Sequence, residues 1–335
     1  MSQENYIRSE GHVIREFCSH TIFDVPDWIW PDQKKRNWYD SWITLPKAIN
    51  NRRRLLEGRA RVLGEWHHTG GLVLGDWQPE VSLIDPLWKK PPVDMTLYRG
   101  IDHGQNRNPT VCLFIAVDTH RNIFVFDEYY GMDKTISEYA LDIINGSGNK
   151  RKCVESFRDA KSGAPRRRYE EVYDAKRGLA IHQTPMDPRS FSQHDHSTNV
   201  TIGQLYREAG LPVIQAPGGF ATTGKFAWVD LINEMFKPKN DRVHPVTGES
   251  PAPTLYIFTT CTNLKRDIES FFWKEPKDDE AAAAPKINKA NSNGPNALAY
   301  AVMNGLRYIG NIYRPSGRAS WAEPEPETND AYRRV

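Results

Sequence analysis

The chain lacks several features that would quickly sort a soluble protein into a class. It has almost no net charge: 44 basic residues face 42 acidic ones, a formal +2, so any nucleic-acid contact must come from local clusters rather than the overall field. It has only four cysteines, Cys18, Cys112, Cys153 and Cys261, far apart and without a C-x-x-C pair. That excludes a zinc ribbon or a disulfide framework and fits a reducing compartment. It has no basic-then-apolar start and no apolar run of bilayer length, so a soluble protein with no membrane partner is expected. A complete ATPase phosphate loop is also missing. Residues 219–226, GFATTGKF, keep the Gly and Lys spacing, but Phe226 stands where Ser or Thr would hold magnesium. The stretch also follows the paired acids Asp127 and Glu128, whereas in an ATPase it would precede the acidic strand.

The 335 residues suffice for one large domain or two ordinary ones. Residues 1–92 are rich in Trp, Pro, Asp and Arg and read as an irregular lead-in. Residues 93–312 carry the periodic patterns of a folded domain, and 313–335 form a Pro- and Glu-rich acidic tail of disordered composition. Three short apolar runs, TLYRGID, TVCLFIAVD and NIFVFDEYY, are separated by turns short enough for hairpins, which predicts three consecutive antiparallel strands. A helix follows at TISEYALDIING, where Ile136, Tyr139, Ala140, Ile143 and Ile144 recur at helical spacing. Further on, strands at LAIHQTPMD, LPVIQAP and TLYIFTT alternate with helices near TIGQLYREAG, KFAWVDLINEMF, LKRDIESFFW and PNALAYAVMNGLRYI. This order implies an α/β fold, a mixed central sheet flanked by helices.

Two acids end strands. Asp102 precedes a turn at Gly104, a residue that leaves space beside the carboxylate, and Asp187 precedes Pro188, which stops the strand. If the two strands are neighbours, both carboxylates emerge at one edge and can hold magnesium or manganese, two ions about 3.5–4 Å apart, for phosphodiester hydrolysis. An Asp at a strand end is also a common turn-maker or helix cap. Glu128 is a candidate accessory ligand carried close by its hairpin, or simply a charged strand end. His67, His68 and the HDH at 194–196 read as solvated loop histidines. Between Lys150 and Arg177, basic residues outnumber acids; Lys150, Arg151, Lys152, Arg166, Arg167 and Arg168 are the candidate double-stranded DNA contacts, against the alternative of a solvated charged hairpin.

The ordered series LGEWHHTGGLVLGDW, YRGIDHGQNRNPTVCLFIAVD, VFDEYY, PMDP, YREAGLPVIQA, TLYIFTTCTNLKRDIESFFW and GPNALAYAVMNGLRY resembles the C-terminal nuclease domain of tailed-phage terminase large subunits, over roughly residues 60–312. The resemblance implies a ribonuclease-H-like fold that cuts double-stranded DNA with two divalent ions, with Asp102 and Asp187 as the first and second acids. At the third acidic position the sequence departs: NSNGPNALAY offers Asn293 as the counterpart, with Asn291 or Ser292 as register alternatives. An amide contributes no charge, so the second ion should bind more weakly; Glu128 or Asp267 would have to compensate. The lead-in, with TIFDVPDW and NNRRRLLEGRARVLGEW, is similar to the segment joining that family's ATPase to its nuclease. The resemblance further implies a separate or removed ATPase motor, a small terminase subunit and the portal as partners, and a place in the host cytoplasm and transiently at the procapsid portal. A packaging subunit whose nuclease site has decayed, and a junction resolvase or transposase, are the competing expectations.

Overall fold

The chain is described by a computed structural model over residues 5–9, 12–16, 23, 31–45, 71–104, 108–158, 163, 165–192, 200–217, 227–273, 287–288 and 291–310. In chain order, a hairpin of β1 (Asn5–Ser9) and β2 (His12–Glu16) is followed by α1 (Asp32–Tyr39), the short α2 (Pro79–Ser82) and β3 (Leu83–Ile84). Three longer strands come next, β4 (Thr96–Asp102), β5 (Thr110–Val117) and β6 (Ile123–Gly131), then α3 (Ile136–Gly146). A second hairpin, β7 (Lys150–Arg158) and β8 (Pro165–Val172), precedes the short strands β9 (Ile181–Gln183) and β10 (Pro185–Met186). The remaining elements are α4 (Ile202–Glu208), β11 (Ile214–Gln215), α5 (Ala227–Phe236), β12 (Leu255–Phe258), α6 (Thr262–Glu269) and α7 (Asn293–Met303).

The central sheet runs β11-β10-β4-β5-β6-β12-β3, with β9 also pairing β4. β4, β5 and β6 form the expected antiparallel unit. β10 adds parallel to β4 and β11 parallel to β10, on the side away from β5. An antiparallel trio extended by parallel strands beside its first member is the ribonuclease-H-like sheet that the sequence implied. β12 joins parallel to β6, and β3 parallel to β12.

The sequence explains why β4 and β5 sit at the centre. Every residue of both strands is buried, as a near-continuous apolar run requires when helices cover both faces. The α3 helix starts at a capping box, in which the Thr135 side chain accepts from the Glu138 amide and Glu138 reaches back to the Thr135 amide. Its Tyr139, Ala140, Ile143 and Ile144 form the buried stripe. The last helix, α7, lies against β4 so closely that a Cβ at Gly100 would run into the Ala297 carbonyl. Only glycine permits that approach.

One expectation changes. Val73, Leu74, Trp77 and Ile84 are part of the core, and β3 is a strand of the sheet, so the folded unit includes residues before the expected boundary at 93. The basic stretch after α3, named in the sequence as candidate DNA contacts or a charged hairpin, is a hairpin in form: β7 and β8 pair along Lys150–Arg158 as an exposed two-stranded sheet of their own. His67, His68, the histidines at 194–196, the glycine-rich 219–226 and the tail 313–335 lie outside the described residues. Among the described residues, no helix is long and apolar enough to cross a membrane.

Candidate metal and DNA site

Strand pairing puts the first two acids together. Met186 pairs with Ile101 in parallel register, so the residues that follow them, Asp187 and Asp102, leave adjacent strands at the same edge. Asp102 is only 7% exposed. Burial first, and repulsion from Asp187 second, push its carboxyl up to about 7, against weaker opposing pulls from Asn296 and Arg189. Asp187 caps the short 3-10 turn Pro188–Phe191, its Oδ1 accepting the Arg189 backbone N–H at 2.9 Å. The Arg189 side chain folds onto the same carboxylate, with Nε donating to Oδ2 at 3.2 Å and a terminal nitrogen 3.2 Å from the same oxygen. Gly104 does not open space beside Asp102, because the Asn108 and Pro109 backbone fills the position a Cβ would take.

Asn293 is the first residue of α7, and one helical turn later Asn296 reaches Asp102, its Nδ2 donating to Oδ2 at 3.4 Å. Asn296 stands immediately before Ala297-Leu298-Ala299-Tyr300, the local signal that could have identified it. Tyr300, one turn further along α7, hydrogen-bonds Arg189, and its hydroxyl is raised by burial first and then by the nearby Asp102 and Asp187 charges. His103 turns its Nδ1 toward the Tyr206 hydroxyl at 3.0 Å; burial lowers its pKa to about 4, so the ring is neutral at pH 7.

Glu128, expected as an accessory ligand, is committed elsewhere. Its carboxylate accepts from the Asn263 amide N–H at 2.8 Å, from Asn263 Nδ2 at 2.9 Å and from the Leu264 N–H at 2.8 Å. It therefore caps the exposed amides at the start of α6. The whole of β5 separates its strand from β4. Asp267, the other possible compensator, is buried and accepts from the Tyr130 hydroxyl at 3.0 Å and the Gly294 N–H at 3.3 Å. Among the described residues, no group of three or more His, Cys, Asp or Glu side chains could hold a metal. Two carboxylates and an amide oxygen nevertheless fit a hard cation, since magnesium is commonly held by one or two carboxylates plus waters and substrate phosphate.

The candidate DNA residues divide into two sets on the β7–β8 hairpin. Lys150 pairs with Asp174 at 3.1 Å, Arg151 donates to the Ser137 carbonyl and stacks over Tyr169, and Arg166 pairs with Glu208 at 2.7 Å. Arg151 and Arg166 thereby fasten the hairpin to α3 and α4, while the exposed Lys150 pairs within the hairpin's own base. Lys152, Arg167 and Arg168 are exposed. At the hairpin base, Glu171 reaches the fully buried Arg99 of β4 in a bidentate pair, 3.1 and 2.7 Å. Arg99 also donates to Thr184 and Ser147.

Fold and site together define a ribonuclease-H-like domain with an acid pair at the edge where β4 and β10 end. No family model and no curated protein matches the chain. Among solved structures, it is similar to the large terminase of a thermophilic bacteriophage in complex with ADP, at 16% identity and a TM-score of 0.45, over 84% of this chain and 53% of that one. The chain thus spans about half the length of that protein. It is also similar to the P22 large terminase nuclease domain, at 13% identity and a TM-score of 0.45, over 70% of this chain and 93% of that one. A third is the large terminase nuclease domain of bacteriophage SPP1 with bound Mn, at 11% identity and a TM-score of 0.37, over 67% and 96%.

Proposed function

We propose that this chain is the nuclease part of a tailed-phage DNA-packaging terminase large subunit and hydrolyses double-stranded DNA with a divalent ion, Mg2+ or Mn2+, held by Asp102 and Asp187. The observation that carries this reading is the acid pair itself. Two carboxylates leave adjacent parallel strands, and they repel enough to help lift Asp102 to about 7. Such a pair is unfavourable without a cation and favourable with one. When bound, the ion supplies an activated water and charge stabilisation for the phosphodiester. Asp102 and Asp187 hold it, the Asn296 amide steadies Asp102, and the exposed Lys152, Arg167 and Arg168 grip the duplex backbone. The ATPase motor, the small terminase subunit and the portal enter the proposal as partners through the sequence motifs.

Plasmid cleavage with Mn2+ or Mg2+ tests the reading. Wild type is expected to nick and linearise the plasmid, and Asp102→Ala or Asp187→Ala to reduce the rate by about 10³-fold or more. Cleavage that persists in EDTA, or that survives both substitutions, would overturn it. A second reading, a DNA-binding packaging subunit with a decayed site, is favoured by the uncharged amide of Asn296 beside Asp102. It predicts duplex binding with no metal-dependent cutting.

A further inference from the structure

Among the described residues, the charges around the acid pair are too few for two divalent ions. Two carboxylates against one guanidinium leave a single net negative charge, and the residue contributed by α7 is an amide. Both oxygens of Asp187 are already engaged by Arg189, one by its backbone N–H and the other by its side chain. The Arg189 side chain remains 68% exposed, so it faces the solvent from which a phosphate would arrive. Its position is set from two directions: the Asp187-capped turn fixes its backbone, and Tyr300 of α7 bonds its side chain.

We infer that the site takes one divalent ion, between Asp102 and Asp187, and that Arg189 supplies the second positive charge by donating to a non-bridging oxygen of the scissile phosphate. This rests on the nuclease reading above. A guanidinium suits that task because its planar fork matches phosphate geometry and it is never deprotonated. In the step it serves, a water oxygen bonds to phosphorus, the bond from phosphorus to the departing sugar oxygen breaks, and one water proton ends on that oxygen. Arg189 stabilises the charge gathering on the non-bridging oxygens as this happens. Before DNA arrives, it neutralises Asp187, which keeps the empty acid pair tolerable and limits how much metal the site attracts.

The test uses the intact chain, with Mn2+ alone as the first probe. Calorimetric titration without DNA is expected to give one Mn2+ per wild-type chain. Arg189→Gln is expected to bind Mn2+ about tenfold more tightly or to take up a second equivalent, because a like charge beside the cation has gone. The same variant is expected to cut plasmid about 10²-fold more slowly, the usual loss for one charge-stabilising donor, and Arg189→Lys to fall between the two. Thermal melting checks that each variant folds, and Arg189→Lys, which keeps the charge, serves if Arg189→Gln does not. Two equivalents of Mn2+ on wild type, unchanged Mn2+ affinity in Arg189→Gln, or cutting by Arg189→Gln at the wild-type rate each overturn the inference. If Mn2+ binding is absent from wild type or survives Asp102→Ala, the nuclease reading itself fails instead.

Discussion

Glu128 and Asp102 are both acids on long strands of the same sheet, yet they are solvated by the protein in opposite ways. Glu128 receives three hydrogen bonds of 2.8–2.9 Å from the start of α6. Among the described residues Asp102 receives one, at 3.4 Å from an amide, while the charge of a second carboxylate, Asp187, repels it. Glu171 lies at the satisfied extreme, paired bidentately with a buried arginine. Glu128 and Glu171 are met by a helix start and by a buried arginine, whereas Asp187 is met by the backbone and the exposed side chain of Arg189, a group free to turn to another anion. That difference in what holds each carboxylate, rather than the number of its hydrogen bonds, separates the cap from the candidate ligands.

Each side of the contrast can be broken in turn. Replacing Glu171 with Ala strands Arg99 without its counter-charge in the core, and urea unfolding should register a loss of about 3–5 kcal/mol. A loss below about 1 kcal/mol would mean that the pair does not anchor the hairpin.

At Asp102 the sign reverses. Its folded pKa of about 7 lies above the ordinary carboxylate value of 3.8. Below about pH 4 the group is protonated in both states and costs nothing. Between pH 4 and 7 the unfolded chain ionises first, so folded stability falls as pH rises, by up to about 4 kcal/mol, and stays reduced above 7. Asp102→Asn should therefore raise the melting temperature of the metal-free protein at pH 8 while abolishing cleavage, and should gain little at pH 4. An equal gain at both pH values would remove the strain argument. Glu128→Ala, by contrast, should lose about 1–2 kcal/mol at neutral pH, as helix caps do, and leave Mn2+ affinity unchanged. Loss of Mn2+ binding in that variant would restore Glu128 as a ligand.

The smallest effect sharpens the contrast on the hairpin. Removing Lys152, Arg167 and Arg168 together should leave stability intact and flatten the slope of log affinity against log salt by about 0.9 per lost phosphate contact. Removing the tethered Arg151 and Arg166 should instead destabilise the hairpin.

Most of the sheet was legible in the sequence because β4, β5 and β6 are long apolar runs with short turns, a local pattern. The acids at 102 and 187 were legible for the same reason, each standing where a strand must stop. Asn296 was passed over although the Ala297–Tyr300 run beside it marks the place; what the run does not give is the contact with Asp102, which depends on how closely α7 approaches β4 at Gly100, nearly two hundred residues away. Arg189 gave no signal because an arginine after a proline is ordinary until the turn folds it back onto Asp187. The β7–β8 strands were read as a basic stretch because they are polar on both faces and lack the alternation that marks a half-buried strand. The capping of α6 by Glu128 was not legible, because alternation fixes which face of a strand a residue occupies, but not which helix will claim it.

The Arg99–Glu171 pair also has a geometric consequence. Arg99 lies three residues before Asp102 on the same strand, so the hairpin is bolted to the rod that carries Asp102. On the proposed nuclease reading it would work as the fixed jaw of a caliper rather than a swinging flap. A duplex resting against Arg167 and Arg168 would be measured from β4 itself, so the span from grip to cut would be set by the rigid core and not by the length of a loop.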